Sequence, residues 1–161
     1  MAASAAYMTA IAADRIYARQ GSLTGSIGVI MQTADVTGLL TKLGISTEAI
    51  KSAPLKATPS PLEPMTDEVR AAARKVIDDM FDMFVSMVAE RRSLSREKAL
   101  ELADGRVFTG RQALNLGLID AIGGEEQAKL WLAEKDPTMK DLPVQDLPIP
   151  DPEDDSWPAG R

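Results

Sequence analysis

The sequence predicts an α/β protein in which a mostly parallel sheet is layered by helices. Three observations lead there. Short β-branched runs behind glycine turns alternate with amphipathic stretches, the order expected of strands joined by helical crossovers. One long apolar stripe at helical spacing occupies the middle of the chain. The composition is ordinary for a globular protein, 45% hydrophobic and 26% charged, with aromatics at only 4%. Any core must therefore be built mainly from Ala, Leu, Ile, Val and Met. With 161 residues, one domain with one modest core is expected.

The elements follow in order. Ala5 to Arg19 is rich in alanine, a strong helix former, and reads as a helix with Ser4 at its N-cap or in its first turn. Gln20-Gly21-Ser22 breaks it. Gly25 to Met31 reads as a buried strand, Asp35 to Leu43 as a short helix ended by Gly44, and Ser46 to Lys51 as a second strand. Ser52 to Pro64 contains Pro54, Pro59, Pro61 and Pro64 and forms no regular element. Thr66 caps a long helix with Asp67 and Glu68 in its first turn. Its stripe is Val69, Ala72, Ala73, Val76, Ile77, Met80, Phe81, Phe84, Met87 and Val88, ending near Arg92. Ser95 caps a helix from Arg96 to Ala103, and Asp104-Gly105 turns the chain. Val107-Phe108 is a brief strand, Thr109 caps a helix from Gly110 to Leu116, and Glu125 to Glu134 is the last helix. Pro137 to Arg161 is rich in proline and acids and reads as a disordered tail. So few visible strands are too few for a free-standing α/β domain. A serine on a strand-to-helix turn also needs a preceding strand, which is not evident before Ser4. The chain is expected to be the C-terminal part of a larger domain.

Composition excludes several function classes. A net charge of −6 argues against nucleic acid as a partner. No stretch reaches the roughly 18–20 apolar residues of a membrane span. The apolar start, Met1 to Ala13, lacks a basic region and is closed by Asp14 and Arg15, so it does not read as a signal peptide. The chain as given is expected to be soluble. It holds no cysteine and no histidine, which leaves no disulfide and leaves the compartment open. Within this chain a Ser-His-Asp triad, a Cys-His pair and a zinc-histidine site are all excluded. A serine activated by a neutral lysine remains.

Two residues suit that chemistry. Ser4 lies among small residues, and Lys56 lies in Ala53-Pro54-Leu55-Lys56-Ala57. Lysine is protonated at pH 7 unless apolar burial favours the neutral amine, and Pro54, Leu55 and Ala57 offer such surroundings in sequence. The plainer readings are an N-cap for Ser4 and a solvated loop cation for Lys56, with Lys51 as the rival base.

Met1 to Met8 (Met-Ala-Ala-Ser-Ala-Ala-Tyr-Met) resembles the nucleophile segment of the signal peptide peptidase A family, usually Ala-Ser-Gly-Gly-Tyr-Tyr. Leu23 to Met31 is similar to that family's Leu-Thr-Gly-Ser-Ile-Gly-Val strand, and Lys51 to Lys56 to its lysine loop. Ala103 to Ala113 and Leu116 to Asp120 match its C-terminal signature. The matches are colinear over roughly residues 1 to 134. The resemblance implies a ClpP/crotonase-like fold, with residues 1–136 as the C-terminal part of the peptidase domain and 137–161 as the tail.

It further implies a serine endopeptidase with Ser4 as nucleophile, Lys56 as general base, Ser26 orienting the lysine and the backbone at Ala5 contributing to the oxyanion hole, the main donor lying upstream. Substrates would be apolar peptides such as signal-peptide remnants, bound by β-augmentation. The assembly would be a homo-oligomeric ring on the outer face of the bacterial inner membrane. No cofactor or metal is implied. The match is to short single-repeat forms, since double-length forms draw the lysine from their other half. Ala5-Ala6 replaces the usual Gly-Gly, and both are small.

Ser26 reads equally as a turn serine. The Met80, Phe81, Phe84 and Met87 stripe reads first as core or subunit interface and second as an apolar-peptide groove. Arg106 and Arg111 read first as surface partners of nearby acids and second as binders of an anion. Two other functions fit the chain. One is a non-catalytic assembly subunit, which an exposed Ser4 far from Lys56 would favour. The other is another enzyme of that fold, such as a phage-type capsid-maturation peptidase or an acyl-CoA hydratase.

Overall fold

The computed structural model describes residues 1–140 and 142–145. It divides into a compact unit from Met1 to Gly124 and a second beginning at Glu125. The first unit is mixed α/β. Strand β1 (Ala2–Ala3) runs parallel to β3 (Leu23–Gly25), which pairs antiparallel with β4 (Val107–Thr109). A second small sheet joins β2 (Tyr17–Ala18) to β5 (Ala121–Ile122) in parallel.

Helix α1 (Ala5–Ala10) follows β1 directly. Helix α2 is Thr37–Lys42, α3 is Asp67–Arg91, α4 is Arg96–Leu102 and α5 is Gly110–Asn115. In the second unit α6 (Glu125–Lys135) precedes a short 3-10 turn, Pro137–Met139. The expected acidic tail otherwise falls largely on residues 141 and 146–161, which lie outside the described residues. Among the described residues no helix is long and apolar enough to cross a membrane.

The helix starts anticipated from polar caps are present. Thr66 accepts from the Val69 amide, Ser95 from Lys98, and Thr109 forms a capping box with Gln112. Gly117, at φ 76°, ends the turn after α5. The α3 stripe divides along its length. Phe84, Val85 and Val88 join a core with Tyr7, Ile11, Ala99 and Leu118, whereas Val76 and Met80 nearer the start are exposed.

Four sequence expectations are corrected. The first helix stops at Ala10 rather than Arg19, because Tyr17–Ala18 pairs with Ala121–Ile122, a tertiary contact that outweighs alanine propensity. The strand expected over Gly25 to Met31 ends at Gly25, because Ser26 turns away with φ 52°. Ser46 to Lys51 forms no strand and is exposed from Ser46 to Ile50, with no ladder partner among the described residues. A strand does precede Ser4. It is short enough to escape periodicity, and its pairing with β3 defines it.

Charge pairs tie the C-terminal signature to the core. Arg92 donates to the Gly117 carbonyl at 2.8 Å and forks onto Asp120 at 2.9 and 3.1 Å. Asp120 also accepts the Ile16 amide at 2.7 Å, and this backbone contact leads β2 toward β5.

Candidate active site

Ser4 stands on the sharp turn between β1 and α1, with φ 57° and ψ −125°. Non-glycine residues rarely hold positive φ, and such outliers concentrate at functional sites. Neighbouring bonds hold it there. Its amide donates to Gly25 O at 2.8 Å, and its carbonyl accepts from the Tyr7 and Met8 amides at 2.9 and 3.1 Å. The N-cap expectation fails in one respect: the Ser4 side chain makes no capping hydrogen bond. The hydroxyl is left exposed beyond the backbone. The amides of Ala5 and Ala6, as first helical positions, have no acceptor within the helix.

Ser26 is the second predicted residue at this location. It is half-buried, holds φ 52°, and donates its amide to Arg106 O at 2.8 Å. Gly25 before it also has positive φ, 84°, and a Cβ there would come within 2.6 Å of the Phe108 ring. This close approach of β3 to Phe108 accounts for the glycine.

Ser4 and Ser26 both line a groove of about 550 Å³. Gly28, Val29 and Ile30, which follow Ser26, line it together with Ile77 and Phe81 of α3 and Ala103 to Gly105. Arg74 and Asp78, paired at 2.9 Å, also line it. Asp104 is bound by Arg106, whose guanidinium and amide hydrogen bonds hold the carboxyl below its ordinary pKa. Of the stripe read second as an apolar-peptide groove, Phe81 does line the groove. The groove-facing roles of Ile77 and Asp104 were not legible; the stripe marked Ile77 as apolar but not which way it would face.

Lys56 lies elsewhere. It is exposed in the turn Ala53 to Lys56, closed by its own amide to Ala53 O at 3.0 Å, and is not part of the groove lining. The apolar burial expected from Pro54, Leu55 and Ala57 is absent, since all three are themselves exposed. The loop is tied to its own flanks instead. Thr47 Oγ1 donates to Leu62 O at 3.0 Å, the Val36 amide donates to Pro61 O at 3.1 Å, and Lys51 pairs with Glu63. The rival lysine thus has a partner of its own. Ser4 and Ser26 line one groove, Ala5 follows Ser4 directly in the chain, and Lys56 is not among that groove's lining residues.

The sequence model for peptidase family S49 matches residues 1–138. A provisionally named protease of Synechocystis sp. is 42% identical over 153 residues, covering 93% of this chain and 55% of that protein. A provisionally named signal peptide peptidase SppA of Enterococcus faecium is 39% identical over 127 residues, 79% of this chain and 37% of the relative. The chloroplastic serine protease SPPA of Arabidopsis thaliana is 37% identical over 132 residues, 80% of this chain and 19% of the relative. The chain therefore spans about half or less of the length of these proteins.

Proposed function

The chain belongs to peptidase family S49, and from that premise we propose that it is the serine-bearing part of an endopeptidase with a Ser4–Lys56 dyad. Ser4 Oγ attacks the scissile carbonyl. Lys56 Nζ takes the hydroxyl proton as general base and returns it to the leaving amine as general acid. Ser26 orients the lysine, and the Ala5 amide contributes to stabilising the oxyanion. The fold around them is ClpP/crotonase-like, with the peptidase portion over residues 1–136 and an acidic proline-rich segment after it. By family likeness the substrates are extended apolar peptides such as signal-peptide remnants. The assembly is a ring at the outer face of the bacterial inner membrane.

The observation that carries this reading is Ser4 itself: a strained turn residue, its hydroxyl not used for capping, beside a groove whose lining includes Val29, Ile30, Ile77 and Phe81. Since Lys56 is outside the lining of that groove, the dyad needs its loop carried over the serine. Movement of the loop within one chain would do so, as would a neighbouring copy in a ring.

The same separation favours a second reading, a non-catalytic assembly subunit. Labelling with a serine-directed acylating probe across pH separates the two. The dyad predicts labelling that rises with pH and is lost in Ser4→Ala and in Lys56→Ala. A mixture of those two variants regains labelling if the lysine comes from a neighbour, and stays unlabelled if it comes from the same chain. Folded protein that never labels at Ser4 sinks the dyad and leaves the assembly reading.

A further inference from the structure

We propose that Arg91 is a positioning residue for Ser4, acting through α1; this rests on the reading of Ser4 as nucleophile. Arg91 is the last residue of α3. Its Nε donates to Ile11 O at 2.7 Å, and its Nη2 donates to Ala12 O at 2.8 Å and Ala13 O at 3.0 Å. One guanidinium thus gathers the consecutive carbonyls that leave the C-terminal end of α1. An ordinary arginine at the end of a helix would serve that helix's own carbonyls. This one serves another helix.

Helix α1 needs such help. It has 6 residues, far fewer than an isolated helix requires to persist in water. Its first turn must hold Ser4 at φ 57°, which survives only where the surroundings over-determine it. Three anchors do so. The Ser4 amide is fixed to Gly25 O, the Tyr7 hydroxyl to Leu118 O at 2.7 Å, and the far end to Arg91. The first two lie within one turn of the serine. At the distal end Ile11 is packed into the core, and Arg91 adds the hydrogen bonds to the carbonyls that leave the helix there; a cation at that end also complements the helix dipole. Because Phe84, Val85 and Val88 of α3 share a core with Tyr7 and Ile11, the clamp is mounted on a rigid support. A small tilt at Ile11 is carried to the hydroxyl as a displacement of the attacking oxygen.

The test compares Arg91→Ala and Arg91→Lys with Arg96→Ala, a control that removes an exposed pair with Asp82. The acylation rate constant of Ser4 with the serine-directed probe is measured per folded molecule. Hydrogen exchange is read at the Tyr7 and Met8 amides. Arg91→Ala is expected to slow acylation by about tenfold with little change in the half-saturating probe concentration, since misplacement of a nucleophile costs rate rather than binding. Arg91→Lys falls between, because a point charge cannot reach all the carbonyls. Millimolar guanidinium, far below denaturing concentrations, restores part of the rate to Arg91→Ala and none to the control. Exchange accelerates at Tyr7 and Met8 but not in α5.

A lowered melting temperature with unchanged acylation rate and unchanged α1 exchange overturns the proposal and makes Arg91 merely structural. If wild-type Ser4 is not acylated at all, the nucleophile reading fails separately. The exchange result then decides the clamp: loss of protection confined to α1 supports it, and equal protection overturns it.

Discussion

The amide of Ser4 donates a 2.8 Å hydrogen bond to the carbonyl oxygen of Gly25. The bond continues the parallel register of Ala3 with Gly25 by one step, to the point where both chains leave the sheet. There each turns through a serine of positive φ, Ser4 at 57° and Ser26 at 52°. The two serines line one groove because their strands are paired up to the last residue before each turn. The site is a property of the sheet end more than of either loop.

Gly25→Ala tests that coupling. The added Cβ would meet the Phe108 ring at 2.6 Å and sit at φ 84°. Either the ring moves or β3 shifts away from β4. A loss of about 1–3 kcal/mol is expected, measured by urea denaturation. The acylation rate at Ser4 should fall as well, because the acceptor of its amide moves with the strand.

Ser4→Gly should stabilise the protein while abolishing labelling. Glycine relieves the positive-φ strain, a gain of about 1–3 kcal/mol, offset by about 0.4–1 kcal/mol for the looser unfolded chain. A net rise in melting temperature is expected, and Ser4→Ala, which keeps the strain, should show none. Equal melting temperatures for the two variants would mean that the turn stores no usable strain.

The parts of this architecture that local chemistry dictates were readable in advance. Thr66, Ser95 and Thr109 marked helix starts because a hydroxyl before an apolar-periodic run satisfies amides that the helix cannot. Ser4 and Ser26 were each singled out through colinear motifs, and that both line one groove follows from the pairing of β1 with β3. What was illegible depends on contacts distant in sequence. Tyr17–Ala18 is a strand only because Ala121–Ile122 lies beside it. Arg91 and Arg92 are adjacent and chemically identical, yet one gathers carbonyls after α1 and the other binds Asp120. Lys56 sits in an apolar stretch by sequence, but apolar neighbours along a chain do not bury a side chain unless another element packs over them. Here Pro54, Leu55 and Ala57 are exposed.

Tyr7→Phe isolates one buried hydrogen bond. The ring is fully buried and its hydroxyl donates to Leu118 O at 2.7 Å. Burial also pushes the phenol pKa up, so the hydroxyl remains a donor through the alkaline range. Removing it leaves the Leu118 carbonyl without that partner, and a loss of about 1–2 kcal/mol is expected. The melting temperature should fall by about 3–6 °C, with far-ultraviolet circular dichroism unchanged.

Asp120 gives the fold a pH dependence whose sign can be worked out. Burial alone would raise its pKa, but hydrogen bonds from Arg92 and the Ile16 amide outweigh that and hold it below the ordinary value of 3.8. A carboxyl depressed in the folded state binds fewer protons there than in the unfolded chain. Its contribution is complete above the unfolded pKa and disappears as pH falls through the folded one. Asp120→Asn keeps the shape, loses the charge, and leaves Arg92, whose side chain is only 10% exposed, without its anion. It should cost about 1–3 kcal/mol at pH 7. That difference from wild type should shrink as pH falls below the unfolded-chain carboxyl pKa of about 4 and close once pH is below the folded one, where both proteins carry a neutral group at this position. Denaturant titrations of both proteins at pH 7, 4 and 2.5 check it. A difference that persists undiminished once the carboxyl is protonated would mean that the cost lies in the asparagine NH2, which donates where Arg92 and the Ile16 amide need an acceptor, and not in the lost charge.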